Sequence, residues 1–120
     1  MTYAEIKKTL SVLTDPSDKL EMVMELGKSL EPVPEDAKCT EILGCASFVK
    51  ICEKNGEFYG VADSMMVRGI VAIFLAMVNG KNIEEIRQFD LSGEFNSLNL
   101  QFGASRLNGI QSMIRFFHNL

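Results

Sequence analysis

The spacing of hydrophobic residues shifts along the chain, and each shift marks an element. Residues 4–13 carry Ile6, Leu10 and Leu13 at helical intervals. In "TDPSDKLEMVMELGKSL" the stripe Leu20, Val23, Met24 and Leu26 predicts a second helix. Asp15 is placed to cap it, Pro16 suits the first helical position, and Asp18 adds negative charge to the first turn. Gly27 and the loop "EPVPEDAK" end it, with Pro32 and Pro34 keeping the loop extended and stiff. The period then drops to two on either side of Asn55-Gly56. That pair is a strong hairpin signal, because a type I′ turn needs positive φ at both central positions. A two-residue turn sets Lys54 opposite Glu57, Cys52 opposite Tyr59 and Val49 opposite Ala62. One face then reads Lys50, Cys52, Lys54, Glu57, Tyr59, Val61, mixed and partly wet. The other, Val49, Ile51, Glu53, Phe58, Gly60, Ala62, faces the core. A short strand around Thr40–Leu43 is expected before the hairpin.

Asp63-Ser64 then caps a central helix, Met65 to Val78. Apart from Arg68 it is apolar all round, so its neighbours must cover most of it. Asn79-Gly80 stops it. "NIEEIRQF" forms a short helix, and residues 90–103 are irregular or hold one brief helix. A last helix runs from about Ala104 to His118, with Leu107, Ile110, Ile114 and Phe117 on one face. Helices, a small antiparallel sheet, then helices define an α+β fold. The hairpin and a short strand pack against N-terminal, central and C-terminal helices.

Composition narrows the function classes. The 120 residues, 47% hydrophobic, fit a single domain, 1–120, with an adequate core lacking disulfides or a structural metal. Net charge is −4 and the 12 Lys and Arg are scattered, leaving no basic face for nucleic acid. "MTYAEIKKTL" lacks the apolar run of a signal peptide. The longest apolar segment, "MMVRGIVAIFLAMV", has 14 residues including Arg68, short of the roughly 20 that span a bilayer. A cytoplasmic protein without a membrane partner is expected.

Three cysteines remain. In a reducing compartment the odd count argues against a disulfide framework. The spacing C-x5-C-x6-C lacks the close hook of zinc sites. Cys39 and Cys52 read as structural or incidental, although Cys39 is near enough in sequence to serve as a resolving thiol. Cys45, in "ILGCASFVK", follows Gly44, a residue suited to a turn or a close approach. Its thiol is either presented from a loop backed by a rigid hairpin or is a buried small hydrophobe. Reactivity requires a cation or donors to stabilise the thiolate, and Arg106 and Ser47 are the candidates. Asp63 reads first as a helix cap and second as a carboxylate partner for Arg106, whose charge is unfavourable early in a helix. Gly109 inside the last helix lowers helix propensity by roughly 1 kcal/mol, which close packing against the hairpin would explain. The lone histidine, His118, lies at a helix end, where it gives thin support to a Cys–His pair.

These residues form a pattern. "GCASFV" resembles the G-C-x-S-x-V element of the SufE family. "ADSMMVRGIVAIFLAMVNGKNIEEI" is similar to the family's acid-led V-[RK]-G-[LI] helix and the short helix after it. "LNLQFGASRLNGIQSMI" resembles its L-x-L…S-R-x-N-G-[LI] segment, and "DKLEMVMELGKSLEPVPED" its early helix and proline loop. Together they span roughly residues 15–117. The resemblance implies an accessory protein, not an enzyme in its own right. Such proteins take sulfur from a cysteine desulfurase (SufS-like) for iron–sulfur cluster assembly, and stimulate that desulfurase. Pyridoxal phosphate would belong to the partner, and this chain would carry no cofactor. A cluster-assembly scaffold complex is the further partner implied, with the chain itself a monomer or weak dimer. Cys45 falls on the persulfide-forming cysteine, Asp63 on the acid at the helix start and Arg106 on the arginine of S-R, with Gly44 and Ser47 in support. An apolar cavity around Cys45, opened on docking, would shield the resting thiol.

There are departures. Ala46 stands where Gln is frequent, Lys50 where Trp is, Val61 where a second acid is common, and Ala104 where proline is usual. They bear on docking more than on sulfur transfer. Competing readings are a metal or cluster scaffold using Cys39, Cys45, Cys52 and Asp63, a noncatalytic desulfurase-binding adaptor, and a thiol hydrolase.

Overall fold

The computed structural model describes residues 1–120. Two helices, α1 (Tyr3–Val12) and α2 (Pro16–Leu26), open the chain, and α2 runs into a single 3₁₀ turn, Gly27–Ser29. The sheet follows as β1 (Lys38–Glu41), β2 (Val49–Lys54) and β3 (Glu57–Ala62), then α3 (Met65–Val78), α4 (Ile83–Gln88), α5 (Leu91–Ser97) and α6 (Ala104–His118). This is the expected α+β arrangement, and residues 90–103 do hold one brief helix, α5.

Local chemistry sets the boundaries. Thr2 and Glu5 form a reciprocal capping box on α1, Asp15 caps α2 through the Ser17 N–H, and Asn82 and Glu85 repeat the box on α4. The cap of α3 is Ser64, whose hydroxyl accepts from the Val67 N–H. Asp63, expected to share that role, is exposed instead, because the N-cap position falls on Ser64, whose hydroxyl supplies the capping oxygen.

Helix α3 is the centre of the protein. Ten of its 14 residues are buried, and all of them but Gly69 belong to one cluster of 26 buried hydrophobic residues drawn from every helix and from the sheet. Helix α2 crosses it so closely that a Cβ on Gly69 would collide with the Val23 carbonyl oxygen. No helix is long and apolar enough to cross a membrane.

The strands lie in the order β1-β2-β3, all antiparallel. Asn55 (φ 53°) and Gly56 (φ 81°) make the hairpin turn, and the register pairs Lys54 with Glu57, Cys52 with Tyr59 and Val49 with Ala62. The Asn79 side chain closes part of the β3 edge. It accepts from the Phe58 N–H at 2.8 Å and donates to the Phe58 carbonyl at 3.1 Å.

Three expectations are corrected. The first strand is Lys38–Glu41, earlier than Thr40–Leu43, because Leu43 and Gly44 turn away into a loop. Cys39 and Cys52 form a disulfide. They sit directly opposite each other on β1 and β2, so the odd cysteine count reflects one bridge plus one free thiol. Cys52 is fully buried although it shares a sheet face with Lys50 and Lys54, and its partner Cys39 is exposed. Leu107, placed on the buried face of α6, is 48% exposed. Gly109, Ile110, Met113, Ile114 and Phe117 are the buried positions of that helix.

Candidate functional site

The only free cysteine is Cys45. It sits in a loop whose stem is the junction of β1 and β2, where the Ile42 N–H donates to the Val49 carbonyl at 2.9 Å. Beyond that rung, residues 43–48 make no backbone hydrogen bond. Packing against α6 holds the loop instead. Gly44 adopts φ +89°, and a Cβ there would fall 2.8 Å from the Ser112 Oγ. The Ser112 hydroxyl accepts a bond of 3.1 Å from Arg115. One turn earlier on α6, a Cβ on Gly109 would lie 3.0 Å from the Cys45 Sγ and 3.4 Å from its Cα. Sequence reasoning expected close packing at Gly109, but against the hairpin; the partner is the thiol loop.

The half-buried sulfur borders a small recess of about 20 Å³. Val67 and Ile70 of α3 and Gly109 and Met113 of α6 form its apolar walls, and Ser105 and Arg106 complete it. Such a volume admits roughly one water-sized sphere, so the recess has room for one further atom beside the sulfur. Burial pushes the Cys45 thiol pKa up, because the recess solvates a thiolate poorly. A larger hollow of about 440 Å³ lies along the other half of α3, lined by Tyr59, Ala72, Leu75 and Asn79 among others, and contains no cysteine.

Cys45, Ser47 and Arg106 therefore meet at one recess, with Gly44 turning the chain beside it. Asp63 does not line it, and neither Asp63 nor Arg106 takes part in any of the four ion pairs. The suggested Asp63–Arg106 pair is absent, and the Arg106 charge is free of a carboxylate. The set proposed as metal ligands is not assembled: Cys39 and Cys52 are bonded to each other, and no three His, Cys, Asp or Glu residues converge. His118 bonds the Phe89 carbonyl at 3.2 Å and is not part of the recess.

The sequence reading missed an apolar collar. Seven large hydrophobic side chains are exposed, and four lie on the segments that build the recess: Leu43 (76%), Phe48 (41%), Met65 (53%) and Leu107 (48%). Apolar exposure concentrated on the segments around one recess, rather than exposure itself, makes these side chains a candidate docking surface. Leu43 and Phe48 flanking the thiol within one short loop were the available signal.

Comparison with known proteins gives the chain a family and a shared fold. Residues 4–120 match the SufE family, described as the Fe-S metabolism associated domain. The chain is 31% identical to the sulfur acceptor protein CsdE of Escherichia coli K12, over 94% of this chain and 83% of that protein. It is 30% identical to the cysteine desulfuration protein SufE of Wigglesworthia glossinidia brevipalpis, over 91% and 82%. It is 35% identical to an uncharacterised SufE-like protein of Rhizobium meliloti, over 92% and 88%. The solution structure of a hypothetical protein from Thermus thermophilus superposes with a TM-score of 0.66 at 16% identity, covering 99% of this chain and 94% of that one, and so shares the fold. The chain belongs to the SufE family.

Proposed function

We propose that the chain accepts sulfur on Cys45 from a persulfide held by a pyridoxal-phosphate-dependent cysteine desulfurase, stimulates that desulfurase, and passes the sulfur on for iron–sulfur cluster assembly. The supporting observation is the match between the one free thiol and its recess: an apolar space beside Sγ with room for one more atom. The names of the relatives, a sulfur acceptor and a desulfuration protein, point the same way.

The step is a sulfur-for-sulfur displacement. The Cys45 thiolate attacks the outer sulfur of the partner's persulfide. A new S–S bond forms on Cys45, the partner's S–S bond breaks, and the partner's thiolate leaves. At rest, burial keeps Cys45 as the thiol and protects it from oxidation. Docking on the apolar collar swings the loop outward, which restores solvation and lets the thiolate form. After transfer, the loop returns and the extra sulfur occupies the recess, beside the unpaired Arg106 guanidinium. The partner carries the pyridoxal chemistry, so this chain acts as an accessory protein.

The test is mass spectrometry of the chain after incubation with a cysteine desulfurase, pyridoxal phosphate and free cysteine. One added sulfur on the peptide containing Cys45 is expected, absent in Cys45→Ser. Sulfur gained elsewhere, or full stimulation of turnover by Cys45→Ser, refutes the transfer and favours a noncatalytic adaptor.

A further inference from the structure

The disulfide lies upstream of the functional loop along one short strand. Cys39 and Cys52 face each other across β1 and β2, and three residues after Cys39 the chain reaches Ile42, whose N–H closes the Cys45 loop on Val49. Since Ile42–Val49 is a hydrogen-bonded rung, alternation makes Cys39–Cys52 a non-hydrogen-bonded pair, in which side chains approach most closely. The bridge thus substitutes for a ladder bond in the middle of β1.

Apart from Ile42, which the core buries just beyond its end, little else fastens that strand. All four β1 residues are exposed, and it lies at the sheet edge. Beyond the ladder and the bridge, its approach carries one ion pair, Lys54–Asp36 at 2.6 Å, whose Asp36 is 73% exposed. Exposed pairs of that kind contribute little. The two sulfurs are unequal: Cys39 is exposed, while Cys52 is fully buried. Only the Cys39 sulfur is open to attack, and exposed disulfides are the labile ones.

We propose that Cys39–Cys52 is a thiol-exchange site whose redox state sets how tightly the Cys45 loop is shut. An external thiolate attacks the Cys39 Sγ, forming a mixed disulfide and releasing the Cys52 thiolate, which takes up a proton. A second external thiol resolves the mixed disulfide, leaving Cys39 and Cys52 as thiols and two external thiols oxidised to one disulfide. A small disulfide reverses both steps. With the bridge closed, β1 holds the loop stem and Cys45 stays in its recess. With the bridge open, β1 frays from the edge, the Ile42–Val49 rung opens more often, and Cys45 is exposed more of the time. The switch is independent of whether Cys45 carries sulfur.

The full chain is divided into oxidised protein and protein reduced with dithiothreitol, then desalted without air. Each portion is pulsed with N-ethylmaleimide at one pH, and Cys45 modification is followed by peptide mass spectrometry. Hydrogen exchange at the Thr40 and Ile42 amides is read in parallel. The reduced form is expected to label Cys45 about tenfold faster, a modest share of what closing a loop of this length contributes, with faster exchange at both amides. Oxidised glutathione restores the slow rate. The double variant Cys39→Ser, Cys52→Ala matches the reduced form; if it does not fold, reduced wild type decides the question. Equal Cys45 rates in the two redox states overturn the coupling. Failure of native protein to exchange with dithiothreitol, or free Cys39 and Cys52 after treatment with oxidised glutathione, overturns the exchange site. Persulfide assays play no part, so failure of sulfur transfer leaves this result readable.

Discussion

A methyl group on Gly109 would stand 3.0 Å from the sulfur of Cys45, closer than carbon and sulfur normally approach without something moving. The part able to move is the loop, since residues 43–48 have no backbone hydrogen bonds to break. Gly109→Ala therefore displaces Cys45 from its recess. In a helix interior, alanine is favoured over glycine by roughly 0.8–1.0 kcal/mol, which offsets the cost of displacement. The variant should keep or slightly raise its denaturation midpoint while its Cys45 alkylation rate rises several-fold. A variant that loses stability with an unchanged alkylation rate would show that the loop does not yield.

Burial raises the Cys45 pKa in the folded protein. The folded state therefore retains the thiol proton to higher pH than the unfolded chain does. The stability this contributes is complete below the unfolded thiol value of about 8.5 and declines as pH rises through it. Between about pH 7 and pH 9.5, wild type should lose more stability than Cys45→Ser in denaturant titrations. The alkylation profile of folded wild type should have its midpoint above that of a free thiol. Comparison with Cys45→Ser cancels other groups, including the Tyr3 phenol, also pushed up by burial and by its bond to Glu94. Equal pH dependence in the two proteins would place the sulfur in water.

Much of this site was legible in sequence because its determinants are local. Gly44 requires a positive φ, the Asn55-Gly56 turn sets the register of β2 on β3, and an all-apolar helix has to be central. The Cys39–Cys52 bridge was not legible, because it depends on where β1 pairs with β2, and no turn signal sets that register across a loop. Asp63 and Arg106 carry opposite charges at two helix starts, but sequence supplies no distance between them. Leu107 has the spacing of the buried stripe on α6 yet lies at its solvent edge, beside a surface loop, where periodicity alone does not separate core from collar.

Asn79 and Phe58 form the other relationship of consequence. A single amide side chain at the end of α3 both accepts from and donates to the backbone of β3. Asn79→Ala leaves the part-buried Phe58 N–H and carbonyl unpaired, at a cost of about 1–3 kcal/mol. Asn79→Asp keeps the acceptor but sets a carboxylate oxygen against the Phe58 carbonyl, so it should not recover wild-type stability. Chemical denaturation of the two variants checks both statements, and a loss below the error of measurement for Asn79→Ala would show the bonds are replaced by water. Cys45 alkylation should be unchanged in either variant, because Asn79 lies on the far half of α3.

The apolar collar makes a separable prediction. Phe48 and Leu107 are 41% and 48% exposed, so Phe48→Ser and Leu107→Ser should cost about 1–2 kcal/mol of folding stability, which leaves the protein folded. If the collar is the surface on which the desulfurase docks, each variant lowers the affinity of the encounter while leaving the thiol intact. The concentration of this chain needed for half-maximal stimulation of desulfurase turnover should rise, by roughly tenfold for a loss of about 1.4 kcal/mol, with the maximum stimulation retained. Raising the concentration of the variant should then recover the full effect. A fall in the maximum at unchanged half-saturation would instead assign these side chains to loop motion or to sulfur transfer. No change in either quantity would remove the collar from the interface and leave its exposure unexplained.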